Sequence, residues 1–168
     1  MDLSADGKIL VTAGVDMKVN VITTSNGKIV WKFTVETPTK PMEEDEQEEN
    51  DDNNNVIENS IESVGICKTL AIVACCTVNG QVILWDLNTH ALRHKFNYDV
   101  GFTKLIWDDK EKLFASALDG TVHMWDGRSM ELIKKYEGHE SEILDFCLNK
   151  NIVCTASQDQ SVKVFPIQ

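Results

Sequence analysis

The chain has 168 residues, 42% of them hydrophobic, and a formal net charge of −11. That is enough apolar content for a core of ordinary domain size, and no apolar run approaches the roughly 20 residues a bilayer span requires. The acidic balance argues against direct nucleic-acid binding, which needs a basic stripe facing phosphates.

The segment after Met1 has neither a basic region nor a long apolar stretch of the secretory kind, so the chain is expected inside the cell, in the cytoplasm and also the nucleus. Membrane association stays open, although no anchor is encoded. Cys67, Cys75, Cys76, Cys147 and Cys154 are odd in number, lack paired spacing and fall in apolar, strand-like runs. Buried free thiols in a reducing compartment are the expectation.

In chain order, the first unit (1–33) begins with a turn over 3–7, followed by strands over 8–13, 18–22 and 28–33. Met1 sits where an innermost strand should already be ending, so this unit is incomplete. Pro38 and Pro41 then break strand character. The segment 34–58 is acidic, aromatic-poor and Asn-rich, and it is expected to be disordered. Between 42 and 58 it carries nine carboxylates, Glu43, Glu44, Asp45, Glu46, Glu48, Glu49, Asp51, Asp52 and Glu58, and no Lys or Arg. With those nine neutralised the remainder sums to −2, so the acidity belongs to this one segment.

The unit 59–98 reads as strands over 61–67, 70–76, 81–85 and 91–96, with Asn79-Gly80 as a two-residue hairpin turn. The unit 99–137 repeats that order over 102–107, 112–117, 121–125 and 131–136, with Asp119-Gly120 at the hairpin. The last unit, 138–168, has strands over 142–148, 152–156 and 161–165, and lacks an outer strand.

These units are copies of one another. Asn79, Asp119 and Asp159 are spaced by 40 residues, and each is followed six positions later by Trp85, Trp125 or Phe165. Asp16, six residues before Ile22, is the same position in the first unit, displaced by the acidic insertion. Trp85-Asp86 and Trp125-Asp126 close their segments, and Gly138-His139 opens one. A period near 40 with these dipeptides marks the four-stranded blade of a WD-repeat β-propeller. The expected fold is all-β, with about three and a half blades of a ring that has seven in most WD-repeat proteins. Open edge strands on such a partial ring invite self-association.

His139, Thr155 or Ser157, Asp159 and Phe165 occupy the positions of the buried hydrogen-bonded chain of WD repeats, although Phe165 has no indole N–H to contribute. In the preceding unit Tyr98 stands where the opening histidine would be. A Ser–His–Asp set at these positions is what the repeat requires structurally, so catalysis is not expected. Cys75, Cys76, His90 and His94 lack metal-ligand spacing, with His90 in an outer turn. There is no phosphate-cradling Gly-rich loop. Neither cofactor nor metal is expected, and Lys134-Lys135 with Arg128 nearby reads as a solvated group. Loops held at fixed places on rigid blades suit protein partners.

Residues 59–67 (NSIESVGIC) directly after an acidic insertion, Leu92-Arg93-His94, and 141–146 (SEILDF) running to 162–165 (VKVF) resemble the C-terminal half of the angio-associated migratory cell protein family. The resemblance covers the whole chain. It implies a non-enzymatic intracellular scaffold. Animal members of that family are associated with cell migration and angiogenesis, and a fungal relative is a chaperone for a basic large-subunit ribosomal protein. Independently, a run of nine carboxylates would attract a basic client. Two other expectations stand beside this: a chromatin-type adaptor that binds basic histone tails, and a half-ring without function because it lacks N-terminal blades.

Overall fold

The structure, a computed structural model, describes residues 1–36 and 59–167. The nine carboxylates between 43 and 58 lie outside the described residues. Four antiparallel sheets follow one another along the chain. Blade 1 holds β1 (Asp2–Leu3), β2 (Ile9–Ala13), β3 (Lys18–Thr23) and β4 (Ile29–Thr34). Blade 2 holds β5 (Ile61–Ile66), β6 (Ile72–Thr77), β7 (Gln81–Asp86) and β8 (Leu92–Asn97). Blade 3 holds β9 (Phe102–Trp107), β10 (Lys112–Ala117), β11 (Val122–Asp126) and β12 (Leu132–Tyr136). Blade 4 has three strands, β13 (Ile143–Asn149), β14 (Ile152–Ser157) and β15 (Val162–Pro166). No helix among the described residues is long and apolar enough to cross a membrane.

The strands form because alternate residues can be buried against a neighbouring sheet. In β2 and β3 the inward set Val11, Val19 and Val21 packs on Ile61, Val64, Val73 and Trp85 of blade 2. Their counterparts 63 residues on, Ala74, Val82 and Leu84, pack on Phe102, Leu105, Leu113 and Trp125 of blade 3. A further 40 residues on, Phe114, Val122 and Met124 pack on Ile143, Phe146 and Val153 of blade 4. Blade 2 has neighbours on both sides, so every residue of β6 and β7 is buried. Polar ties cross each junction as well. The Ile66 amide donates to the Asp2 carboxylate at 2.8 Å, Trp107 Nε1 donates to the Gly65 carbonyl at 3.3 Å, and Thr103 Oγ1 donates to the Ile143 carbonyl at 2.7 Å.

The β6–β7 and β10–β11 hairpins turn at Gly80 and Gly120, both in the left-handed region, with φ of 84° and 80°. A Cβ on Gly80 would stand 2.2 Å from the Tyr98 carbonyl, and one on Gly120 would stand 2.7 Å from the Ser141 carbonyl. At the same place in blades 1 and 4, Met17 and Gln160 take φ of 57° and 66° with side chains intact.

Two expectations need correction. Leu3 belongs to a short strand rather than a turn, because the β1 backbone pairs Asp2 with Val11 and Leu3 with Leu10. The thiols are not uniformly buried: Cys67, Cys75 and Cys76 are, but Cys147 is exposed and Cys154 half-buried. These last two are paired across β13 and β14 on the face of blade 4 that no other described blade covers.

Candidate functional site

The hydrogen-bonded chain read from the repeat is assembled in blade 4. His139, carried by the segment after Gly138, is placed with Nδ1 2.7 Å from Asp159 Oδ2 and Nε2 2.7 Å from Thr155 Oγ1. Asp159 also accepts from the Glu140 amide at 3.1 Å, and from the Ser161 amide at 2.9 Å and hydroxyl at 2.6 Å. The Ser161 hydroxyl, followed by the histidine ring, holds the Asp159 carboxyl well below the usual carboxylate range. Thr155, rather than Ser157, is the hydroxyl in the chain, and it donates onward to the Lys163 carbonyl at 3.3 Å. Phe165 ends the series by packing on Tyr136, ring centroids 5.7 Å apart. Each polar atom is engaged in tying β13, β14 and β15 together, and the Thr155 hydroxyl is buried. The geometry fixes strand ends.

The other blades reduce this arrangement step by step. At the Thr155 position blade 3 has Ala115 and blade 2 has Cys75, so neither has a hydroxyl there. In blade 3 the indole N–H of Trp125 donates instead to the Tyr98 hydroxyl at 2.9 Å, while Asp119 accepts from the Thr121 amide and hydroxyl. In blade 2 Trp85 stacks on Phe33 of blade 1 at 4.9 Å, and Asn79 donates its amide to Asn59 Oδ1 at 3.4 Å. Asp16 in blade 1 accepts the Lys18 amide at 3.3 Å.

Asp86 and Asp126 organise the outer turns. Asp86 accepts from the Asn88 and Thr89 amides at 2.8 and 2.9 Å and from Arg93 at 2.5 and 3.0 Å. Asp126 accepts from the Arg128 and Ser129 amides and from Lys112 Nζ at 2.8 Å. These donors, led by the Thr89 amide at Asp86 and by Lys112 at Asp126, hold both carboxyls far below their ordinary range. Among the described residues, no group of three or more His, Cys, Asp or Glu is placed to hold a metal ion. His90 lies in an outer turn, as expected, where it stacks on Trp31 of blade 1 with ring centroids 3.9 Å apart.

His123 was not singled out by motif, although the 40-residue period places it opposite Ile83, a core residue. Its ring is fully buried beside Tyr98, Phe102 and Trp125, and neither ring nitrogen has a hydrogen-bond partner among the described residues. Burial, with Lys135 adding to it and Asp119 opposing, pushes its pKa down to about 4. The unfolded chain then takes up this proton near pH 6.5 while the folded one does not until about pH 4. Stability should be complete above pH 6.5 and fall by up to about 3 kcal/mol as the pH drops to 4. Urea unfolding against pH measures this, and His123→Leu should flatten that part of the profile.

Sheets packed face to face in chain order, with a His–Asp tie in blade 4 and Trp-Asp outer turns in blades 2 and 3, define a WD-repeat propeller protein. The family model described as "WD domain, G-beta repeat" matches residues 91–126 and 130–165. The chain is 34% identical to angio-associated migratory cell protein of Homo sapiens, covering 97% of this chain and 37% of that protein. It is 29% identical to "Ribosome assembly protein SQT1" of Saccharomyces cerevisiae over 83% of this chain and 30% of that protein. The crystal structure of Saccharomyces cerevisiae Sqt1 superposes with a TM-score of 0.77 at 24% identity, over 96% of this chain and 42% of that one. The computationally designed Ika4 protein superposes with a TM-score of 0.72 at 21% identity, over 99% of this chain and 90% of that one. The chain thus spans little more than a third of the length of the curated relatives it matches.

Proposed function

We propose that this chain is an intracellular protein-binding platform whose acidic segment captures a strongly basic client of the ribosomal-protein kind. One observation carries the proposal: nine carboxylates of a chain with net charge −11 are concentrated between 43 and 58, leaving the blades near neutrality. A field so concentrated draws in a Lys- and Arg-rich segment and keeps it from competing RNA, while the adjoining blades hold the complex in place. A relative named as a ribosome assembly protein supports this choice of client. The work is that of a chaperone in the cytoplasm.

A second proposal rests on the higher identity to angio-associated migratory cell protein. In that case the blade loops bind signalling partners in cell migration, and the acidic segment is dispensable. Salt separates the two, because a Debye length near 10 Å at ~0.1 M shrinks to about 3 Å at 1 M. Affinity capture from lysate should retain one basic ribosomal protein at the lower salt and release it at the higher. Replacing all nine carboxylates by Asn or Gln should abolish that capture. Unchanged capture by the neutralised variant would sink the chaperone proposal. Partners held at high salt would move the function to the loops, and histones in place of a ribosomal protein would identify a chromatin adaptor.

A further inference from the structure

The junction between blades 1 and 2 is filled differently from the one between blades 2 and 3. In the latter, Met130 of the β11–β12 turn is buried in the core that holds Cys67 and Trp107. The residue 40 positions earlier is His90 in the β7–β8 turn, and both take the same left-handed backbone, with φ of 57° and 59°. His90 stays exposed, its ring laid on Trp31 of blade 1. At the end of the first strand, Ile66 stands where blade 3 has the larger Trp107. What Met130 closes in one junction is therefore open in the other, as a cleft of about 430 Å³. Ile9, Val21, Ile66 and Leu87 line it with apolar surface. Val30 and His90 line it too, and Val30 is 51% exposed and the adjoining Trp31 42%. Both walls belong to described blades inside the chain, and a cleft of this size, mostly apolar with a few polar groups, has the form of a binding site.

Three exposed lysines stand around the cleft, in loops at the same end of the blades. Lys68 lines it, Lys8 closely follows the lining residues Ser4 and Asp6, and Lys28 precedes Val30 by two positions. The carboxylates at that end are already engaged by the chain itself. Asp6 accepts from the Ser4 hydroxyl at 2.8 Å and the Lys8 amide at 3.1 Å, and Asp86 is held by Arg93. The ion pairs Lys8–Asp6 at 3.6 Å and Lys68–Asp109 at 3.0 Å join solvent-exposed side chains, so they contribute little and yield readily to another carboxylate.

We propose that this cleft docks an extended acidic segment of a partner protein, which seats one methionine in the place that Met130 takes at the next junction. The choice of side chain comes from that neighbour, where an unbranched apolar group is buried beside the equivalent turn, and such burial is favourable. Carboxylates on either side of the methionine meet Lys8, Lys28 and Lys68, which attract them although the chain as a whole is acidic. The site does not depend on the capture of a basic client. From Lys28 to Thr34 the chain runs about 20 Å at 3.3 Å per residue, and the segment with the nine carboxylates leaves from that far end. One chain thereby joins a basic client at one end of its blades to an acidic partner at the other.

Fluorescence anisotropy of the full chain with the labelled peptide Asp-Glu-Asp-Met-Asp-Glu-Asp tests this. Binding should saturate, and alanine in place of the peptide's methionine should weaken it about tenfold or more. His90→Met supplies from within the side chain that blade 3 has, so it should abolish binding with the urea midpoint unchanged or higher. If that variant loses stability, Lys28→Gln with Lys68→Gln gives the second reading, weaker binding and a shallower salt dependence in a chain of unchanged stability. The variant with all nine carboxylates of 43–58 replaced should still bind the peptide, so failure here and failure of the chaperone proposal are seen separately. A peptide that does not bind, or binds equally well with alanine, overturns the proposal, and so does full binding by a folded His90→Met chain. Displacement of the peptide by an equal concentration of unlabelled residues 42–58 would assign the cleft to the chain's own acidic segment and overturns the partner.

Discussion

Replacing Gly80 by alanine should destabilise the chain by about 2–5 kcal/mol, the sum of two separate penalties. The first is conformational. At φ 84° an L side chain crowds its own carbonyl, which costs roughly 1–2 kcal/mol. The second is steric, because the new Cβ would sit 2.2 Å from the Tyr98 carbonyl and 2.6 Å from that of Val100. Both oxygens belong to the segment that leads from blade 2 into blade 3, so relief requires the junction to open. Backbone cannot swing aside as a flexible side chain would, and overpacking of this kind adds about 1–3 kcal/mol. The equivalent change Gln160→Ala is the control. That position already carries a Cβ at φ 66°, and the substitution should move the urea midpoint little. Urea unfolding of the two variants, followed by tryptophan fluorescence, compares them directly.

The contrast between Gly80 and Gln160 also marks what could be read in advance. The hairpin turns and the strand order were legible because local chemistry and a 40-residue period agreed. Asn79-Gly80 and Asp119-Gly120 turn where such pairs turn, and the apolar alternation on either side matches the pleat. The positions of Asp159 and His139 in blade 4 stand out for the same reason, since the repeat fixes their register, whereas the repeat leaves the hydroxyl open between Thr155 and Ser157. What lay hidden depends on whether a neighbour is present. Cys147 and Cys154 sit in strand-like runs, as Cys75 and Cys76 do, but on a face of blade 4 that no other described blade covers, which leaves one exposed and the other half-buried. Leu3 looked like turn because two residues are too few to show alternation. The stack of His90 on Trp31 joins residues 59 positions apart in different blades, and no local pattern signals it. His123 carries a polar symbol at a core position, so its burial was visible only through comparison with Ile83 one period earlier.

Trp125→Ala is the second large effect, with an expected loss of about 3–5 kcal/mol, as for other deletions of a buried aromatic side chain. Trp125 is fully buried and occupies the centre of the blade 2–blade 3 core, against Phe102 at 5.9 Å and His123 at 5.4 Å between ring centroids. Its removal empties the place where Leu84 and Val82 of blade 2 are received. The β10–β11 backbone pairs on both sides of it, so the cavity cannot collapse by a simple strand shift. The indole has a polar role too, since its N–H donates to the Tyr98 hydroxyl at 2.9 Å. Tyr98→Phe leaves that N–H unpartnered and should cost about 1–3 kcal/mol, whereas Trp125→Phe with Tyr98→Phe removes both partners and should cost less than the two single changes added together. A double-mutant cycle by urea unfolding reads the coupling, expected near 1 kcal/mol. Strict additivity would mean that Tyr98 contributes packing alone and does not replace the opening histidine of blade 3. In blade 4 the corresponding Phe165 is only half-buried and makes no hydrogen bond through its ring, so Phe165→Ala should cost clearly less than Trp125→Ala. The ordering follows from how many neighbours each blade has, and a reversed order would show that blade 4 is covered in solution.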